Sequence, residues 1–297
     1  MTPFIKNSTD YLHELKDYIA NPHKMNGIPS VLLPSYTKIL KGFRLGELTV
    51  LTGPTGSGKT TVLSQLSLDF AVQNVPTLWG SFEIKNTKLL RKMLCQYSGK
   101  TIEADSIDTV HKNFSSVPMY FLDFFGSTPL EQVLPILYES CEKQRIQHII
   151  IDNLQFMLSG QDSGVGDKYD LMDKTVAALR RLANEMNVHV SLVIHPKKEL
   201  DGCLLGISSF YGSTKPTQEA DNVVIIQKDL QNNRFIDIKK NRFDGEVGSF
   251  PIVFDPISCQ VKEVSKQNVV KNFQPRPTQY PTTGVKRKPE EALNLLE

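Results

Sequence analysis

The sequence predicts an α/β fold, in which a mostly parallel sheet is covered by helices on both faces and is extended by antiparallel strands near the C-terminus. Three observations predict it. Apolar runs rich in β-branched residues alternate with helical patterns over residues 47–194. A glycine-rich phosphate-binding pattern joins the first such run to the first helical stretch. After residue 220, short apolar runs are separated by polar turns alone.

The first predicted element is an amphipathic helix over residues 8–20, with Ser8 as its N-terminal cap. Its apolar residues share one face: Tyr11, Leu12, Leu15, Tyr18 and Ile19. A helix with such a face ordinarily packs on the core of its own domain. Residues 22–40 contain three prolines and predict a linker.

Five strands and four helices follow within the predicted compact domain. The predicted strands are 47–52, 76–82, 118–124, 147–152 and 188–194. The predicted helices are 59–73, 86–98, 129–145 and 170–187. In the last helix, Val176, Leu179 and Ala183 have the spacing of a buried stripe. Such alternation of strands and helices implies a parallel sheet covered on both faces.

The C-terminal part of the sequence changes character twice. Runs at 222–227, 234–240 and 249–255 predict antiparallel hairpins. Residues 265–297 then lose apolar periodicity and predict a disordered tail, whose triplet Lys286-Arg287-Lys288 could be a nuclear address, a DNA-binding arm or a solvated charge run. The predicted domains are therefore a helix with its linker (1–34), a compact domain (35–262) and the tail (263–297).

The overall composition excludes several classes of protein. The 297 residues carry a net charge of only +2, so any DNA contact must come from a local patch. No apolar run approaches the roughly 20 residues that span a bilayer. The four cysteines lack C-x-x-C spacing, which indicates a reducing compartment and neither a disulfide framework nor a zinc site.

The phosphate-binding pattern is the complete octapeptide Gly53-Pro54-Thr55-Gly56-Ser57-Gly58-Lys59-Thr60. Its glycines let backbone N–H groups surround a phosphate, Lys59 reaches the terminal phosphate oxygens, and the Thr60 hydroxyl can ligate Mg²⁺. The positive end of the following helix points at the same ligand. The alternative, a glycine turn without a ligand, is disfavoured by the strand before it and the helix after it.

Asp152 ends the apolar run His148-Ile149-Ile150-Ile151, which is typical of a central buried strand. Ligands of open α/β sheets bind at the carboxyl ends of strands, so we expect Asp152 to meet the phosphate loop and the Mg²⁺ ion. Asn153, and not a glutamate, follows Asp152. The catalytic base must therefore come from elsewhere.

Two further polar residues end predicted strands. Glu83 is the candidate base, provided that its strand neighbours the first strand; alternatively it caps the next helix. His195 ends the fifth strand and could bond to the γ-phosphate and report its loss, although a lone histidine is more often a surface or packing residue.

Taken together, these blocks resemble the superfamily-four replicative hexameric helicases, which have a RecA-like core. The Twinkle-like mitochondrial helicases are the nearest group, and phage helicase–primases and the DnaB group are more distant. The similarity covers roughly residues 8–262. Beyond the phosphate loop it rests on Gly46 to Val50, Leu78 to Glu83, Ile149 to Phe156, Leu192 to Lys197, Gln218 to Asn222, and Lys240 to Gly248.

The resemblance implies a role for each matching residue. Lys59 and Thr60 would bind the nucleotide and Mg²⁺, Glu83 would be the catalytic glutamate, and Asp152 would be associated with the magnesium ion. His195 would sense the γ-phosphate. Three residues nearer the C-terminus complete the set: Gln218 as a polar switch, Arg242 as an arginine finger for the neighbouring subunit's ATP site, and Lys240 beside it.

The resemblance also implies a ring in which the helix over residues 8–20 docks each subunit on its neighbour, with DNA in the centre. The loops at about 157–169 and 197–217 would line the channel, with Lys197, Lys198, Gly212 and Lys215 as the candidate DNA-binding residues. Because the aromatic residues there are limited to Phe210 and Tyr211, we expect contact that is electrostatic, salt-sensitive and independent of sequence.

The implied function is an ATP-dependent (or other NTP-dependent), 5′→3′ DNA helicase that uses Mg²⁺, works as a ring, typically a hexamer, and unwinds forked duplexes. A mitochondrial matrix location is implied as well, although a priming domain and an import signal are absent from the sequence. Two alternatives stay open: another RecA-like ATPase, such as a recombinase or a clock-type ATPase, and a truncated regulatory subunit of a longer helicase.

Overall fold

The computed structural model describes residues 5–21, 25–159, 165–197, 203–211, 214–229 and 231–264, with the backbone alone for residues 165–167. The described residues up to Val264 form one compact unit. The predicted tail from residue 265 onward lies outside the described residues. In the part of the chain that is described, no helix has the length and hydropathy that a membrane span requires.

The strands of the described chain form a single sheet. Their bounds are β1 Leu48–Thr52, β2 Thr77–Ser81, β3 Met119–Phe121, β4 His148–Asp152, β5 His189–Val193, β6 Asn222–Lys228, β7 Arg234–Asn241, β8 Gly248–Phe254 and β9 Val261–Glu263. Their spatial order is β3-β2-β4-β5-β1-β6-β7-β8-β9. In this spatial order, the first six strands, which end at β6, run parallel to one another. From β6 to β9, each strand is antiparallel to its neighbour. The predicted fold class is confirmed.

One predicted neighbour relation is wrong. The second strand, β2, pairs with β3 and β4 and not with β1. β4 and β5 lie between them, because their runs of branched residues are buried on both faces and suit central positions.

Helices cover both faces of the sheet. Their bounds are α1 Leu12–Ala20, α2 Pro34–Leu40, α3 Lys59–Ala71, α4 Asn86–Ser98, α5 Ile107–Phe114, α6 Leu130–Lys143, α7 Leu154–Met157, α8 Val165–Glu185 and α9 Lys215–Glu219. Side chains of α2 to α5 belong to one hydrophobic cluster, and those of α6 to α8 belong to the other. Successive side chains of β4 enter different clusters: Ile149 and Ile151 belong to one, and Ile150 belongs to the other.

The predicted linker over residues 22–40 is wrong at its C-terminal end, which forms α2. Pro34 occupies the first turn, where its fixed φ and missing N–H are compatible with a helix. Tyr36, Ile39 and Leu40 are buried in the core. The sequence also did not predict α5, α7, α9 and β9, and the predicted third strand extends beyond Met119–Phe121.

The N-terminal helix is present, but its cap differs from the prediction. Asn7, and not Ser8, caps the entry: its Oδ1 accepts the N–H groups of Thr9 and Asp10 at 2.8 and 3.2 Å. The Asp10 carboxylate accepts the Asn7 N–H in return, which completes a capping box. Ser8 is the first residue of a 3-10 turn ahead of α1. Every residue of α1 is exposed, so its apolar face does not pack on its own domain.

Two histidines are buried at the amino ends of β4 and β5. The rings of His148 and His189 lie 4.5 and 4.2 Å from the ring of Phe43. His189 donates from Nδ1 to the carbonyl oxygen of Arg44 at 2.6 Å, and its Nε2 accepts from the Thr49 hydroxyl at 2.9 Å. Burial lowers the pKa of His189 to about 4 and takes the pKa of His148 well below its usual range.

We predict that this pair makes the fold acid-labile. The pKa of His189 is lower in the folded state, so unfolded chains bind the proton first as the pH falls. The free energy of unfolding therefore has its full value above about pH 6.5 and falls between about pH 6.5 and pH 4. One such histidine lowers it by about 2 kcal/mol by pH 5. Urea unfolding at pH 7.5 and pH 5 measures this loss.

The matched variants are His189→Gln and His111→Gln, because His111 is exposed. The first variant should lose less unfolding free energy than the wild type between the two pH values, and the second should lose the same amount. An unchanged pH dependence in His189→Gln would contradict the assignment.

Candidate functional site

The phosphate loop joins β1 to α3 and is shaped by two of its glycines. Gly58 precedes α3 with φ of +103°, a conformation that L side chains rarely adopt. A Cβ atom on Gly53 would lie 2.3 Å from the carbonyl oxygen of Ile226, so only glycine fits between the loop and β6. The loop therefore leads directly into the start of α3, where the helix dipole favours an anion.

The polar side chains of the loop are poised for a phosphate. The Lys59 ammonium donates to the carbonyl oxygens of Gly53 and Pro54 at 2.8 and 3.1 Å, and burial lowers its pKa, opposed by Asp152 and Glu83. Within the described residues, the buried Ser57 hydroxyl has no hydrogen-bond partner. An unpaired buried donor beside an ammonium fits a phosphate ligand.

Thr60 and Asp152 meet across α3 and β4. The Thr60 hydroxyl donates to Asp152 Oδ2 at 2.6 Å. Burial is the main reason that the pKa of Asp152 rises to about 6, and the bond from Thr60 opposes the rise. A hydroxyl and a carboxylate are hard oxygen ligands, so this pair fits Mg²⁺, with phosphates and waters as the remaining ligands.

Glu83, Asn153 and His195 form a cluster beside this pair. The Asn153 amide nitrogen donates to Glu83 Oε2 and lies 2.9 Å from His195 Nε2. The imidazole lies 3.6 Å from the same Glu83 oxygen. Asn153 Oδ1 accepts the Phe156 N–H at the start of α7. Because this bond fixes the amide, its nitrogen is the donor and His195 Nε2 is an acceptor.

His195 is held at its backbone as well as at its ring. Its N–H donates to Gln155 Oε1 at 3.0 Å. Burial lowers the pKa of His195, and the nearby Lys59 ammonium lowers it further, while Glu83 opposes both. The ring is therefore biased toward its neutral form, which accepts a bond through Nε2 and donates one through Nδ1.

Sheet topology explains why these residues lie together. Ser81 pairs with Asp152 in register, so Glu83 and Asn153 both leave the sheet at the carboxyl edge. β5 lies on the other side of β4 and brings His195 to the same edge. Sequence analysis expected Glu83 there through contact of β2 with β1; the actual contact is through β4. It missed Asn153, although the amide in place of a glutamate after Asp152 was a visible signal.

A cavity of about 240 Å³ lies next to the phosphate loop. Loop residues Gly56–Gly58 and Thr61 form one wall, and the antiparallel strands supply Arg234, Ile252 and Phe254. The sequence did not predict this wall, because its residues are about 180 to 200 positions from the loop and follow no motif.

Arg242, Lys240 and Gln218 do not join this site. β6 pairs Asn222 with Thr49 of β1 and with Asn241 of β7, so Arg242 lies at the amino edge of the sheet, opposite the phosphate loop. There the Arg242 guanidinium donates to Asp221 and to the Gln218 carbonyl oxygen. Lys240 donates to the carbonyl oxygens at the end of α9, and burial lowers its pKa.

The predicted DNA-binding residues are described only in part. Lys197 is exposed beside the bridge between Pro196 and Phe210, and Lys215 is the first residue of α9. Lys198 and Gly212 lie outside the described residues. Phe210 is buried in the core and cannot stack on a base, whereas Tyr211 lies on Tyr169 with ring centroids 5.7 Å apart.

Solved structures with the same fold include an ATPase domain and a replicative helicase. The structure matches the isolated ATPase domain with a TM-score of 0.73 and 14% identity, over 88% of this chain and all of that one. It matches a DnaB-like replicative helicase, solved in a study of its interactions with primase, with a TM-score of 0.72 and 15% identity, over 88% of this chain and 68% of that one. These similarities confirm the RecA-like core.

Sequence comparisons point the same way. The chain is 20% identical over 257 residues to the replicative DNA helicase DnaB of Treponema pallidum, and the match covers 82% of this chain and 58% of that protein. The chain thus spans little more than half the length of this relative. A family model described as an AAA domain matches residues 19–201, which is more than half of the sequence. The chain therefore belongs to the AAA domain family.

Proposed function

We propose that this protein is an ATP-driven DNA helicase motor that acts as a ring of identical subunits. One observation carries the proposal: Lys59, Asp152, Glu83 and His195 lie together at the carboxyl edge of the sheet, while Arg242 is exposed at the opposite edge. Because the hydrolytic site and the arginine lie at opposite edges of one subunit, the arginine of one subunit can complete the site of its neighbour in a ring.

The chemistry follows from the positions of the side chains. ATP with Mg²⁺, when bound, supplies the reacting phosphoryl group and neutralises part of its charge. Lys59 and the loop N–H groups bind and orient the phosphates, and Thr60 with Asp152 holds the metal. Glu83 accepts a proton from the attacking water.

Asn153 orients this machinery. Its amide bonds to the Glu83 carboxylate and to His195, so a shift of one moves the other. Glu83, as the proposed base, would lie next to the γ-phosphate. Because His195 is close to Glu83, it can bond to the γ-phosphate while that group is present. Loss of that bond would shift His195, and Gln155 would pass the shift through α7 to the segment after β4. This segment is one of the two predicted DNA-facing loops.

The cavity beside the loop suits the nucleoside. Ile252 and Phe254 offer apolar surface for a base, and the Arg234 guanidinium can stack on a ring. The cavity continues from the phosphate loop, so the base and the phosphates of one nucleotide can occupy both.

The DNA-related part of the proposal rests on Lys197 and Lys215 at the ends of the second predicted loop, and on the replicative helicases among the similar proteins. We expect contact with phosphates of single-stranded DNA, which is independent of sequence and weakens with salt. The 5′→3′ direction, the hexameric ring and a mitochondrial, Twinkle-like role follow from the sequence resemblance alone.

We predict that purified protein hydrolyses ATP faster when single-stranded DNA is present and unwinds a forked duplex. The reason is that the segment after Asn153 joins the hydrolytic site to the DNA-facing loop. Lys59→Ala is the inactive control, because it removes the ammonium that binds the phosphates. Hydrolysis without DNA stimulation, together with no unwinding, would refute the helicase proposal. Formation of filaments that pair homologous strands would instead favour a recombinase.

We predict that Arg242→Ala lowers the ATPase kcat by about 10³-fold and leaves nucleotide affinity and ring size unchanged, since an arginine finger stabilises the transition state. Fluorescent nucleotide binding, light scattering and ATPase assays measure the three quantities. Lys239→Ala, a neighbouring lysine on β7 paired with Asp237, should retain wild-type kcat. Loss of nucleotide binding in Arg242→Ala would show a structural role instead.

We predict that α1 holds the ring together. Leu15 and Ile19 are 51% and 68% exposed, and such apolar surface favours burial against a neighbour. Leu15→Ser with Ile19→Ser should dissociate the ring in light scattering without changing the subunit's unfolding free energy. Lys16→Ser on the same helix should keep the ring intact. A ring that survives the double substitution would exclude α1 as the docking element.

A further inference from the structure

Asp221 lies at the amino edge of the sheet, between α9 and β6, and its side chain is almost fully buried. Its carboxylate is fixed from two sides. Oδ2 accepts the N–H of Leu48, the first residue of β1, at 2.8 Å. Oδ1 accepts from the Arg180 guanidinium of α8 at 3.2 Å. Arg180 is itself anchored on the Gly46 carbonyl oxygen at 2.7 Å.

The same carboxylate binds Arg242. Asp221 Oδ1 lies 3.2 Å from the second guanidinium, and the Asp221 carbonyl oxygen accepts the Arg242 N–H at 2.9 Å. The other terminal nitrogen of Arg242 donates to the Gln218 carbonyl oxygen at 2.7 Å. Half of the Arg242 side chain is still exposed. A guanidinium has five N–H donors, so three have no partner among the described residues and can serve a ligand outside the subunit.

The segment around Arg242 is equally well fixed. Asn241 is buried and donates to the Ile39 carbonyl oxygen and to Asp244. Phe243 packs under the Arg44 guanidinium, 4.1 Å from its ring centroid. The backbone that carries Arg242 is therefore rigid, and the freedom that remains lies in its own side chain.

We propose that Asp221 is the positioning residue of Arg242, holding the guanidinium in the orientation that enters the neighbouring subunit's nucleotide site. The inference rests on the proposed function, because it needs Arg242 to act in trans. An unrestrained arginine loses rotamer freedom when it is ordered at an interface. The carboxylate, fixed by Leu48 and Arg180, orders it before the neighbour arrives.

The prediction is that Asp221→Asn lowers the ATPase kcat by about 10- to 100-fold, with nucleotide affinity unchanged. Asparagine retains an acceptor for the Leu48 N–H but loses the charge that holds Arg242. Asp237→Asn is the matched control: it removes a buried carboxylate from β7 that bonds to Gln227 and Lys239. This control should retain wild-type kcat.

Mixed rings identify which subunit is defective. Lys59→Ala chains lack a working nucleotide site but keep the finger, and Arg242→Ala chains have the opposite defect. Mixed before assembly, they should regain activity at about a quarter of the interfaces, as random pairing gives. Asp221→Asn should regain activity when mixed with Lys59→Ala and should not when mixed with Arg242→Ala.

The outcomes separate the two proposals. If Lys59→Ala with Arg242→Ala stays inactive, the shared site is wrong and the inference falls with it. If that pair regains activity and Asp221→Asn with Lys59→Ala does not, Asp221 supports its own subunit's site through Leu48 and β1, and only the inference is overturned. Should Asp221→Asn fail to fold, Asp221→Glu keeps the charge but displaces the carboxylate, and must give the same pattern of recovery.

Discussion

The parallel hydrogen-bonded register of β2, β4, β5 and β1 is the constraint on which the site depends. Apolar side chains of these strands enter both hydrophobic clusters, so a slip by one residue would exchange the two faces. With the register fixed, the residues that follow these strands emerge at the same edge of the sheet. Glu83, Asp152 and His195 lie together for this reason.

Burial at this edge makes the polar residues interdependent. The pKa values of Lys59 and His195 are lowered and that of Asp152 is raised, in each case chiefly by removal from water. Each group therefore needs partners. Asn153 supplies one to His195, and the same amide also contacts Glu83 and the start of α7. Mg²⁺ and phosphates would replace some of these contacts, which makes the arrangement sensitive to what is bound.

The opposite edge of the same sheet carries a second polar cluster, around Asp221. β7 is antiparallel, so it ends where β1 begins, and this places Arg242 far from its own phosphate loop. The length of the strands thus separates the two halves of the proposed hydrolytic site. Joining them requires a second subunit, and this geometry is the physical basis for proposing hydrolysis that depends on assembly.

The sequence by itself determined the phosphate loop, the α/β class and the positions of most strands, because these depend on local patterns of glycine, charge and apolar spacing. It also identified Glu83, Asp152 and His195 as strand-ending polar residues. Only the tertiary structure decided that β4 separates β2 from β5, that Asn153 links the site, and that Asp221 binds Arg242. Strand order and contacts between distant residues depend on which buried surfaces fit together, and no local pattern contains that information.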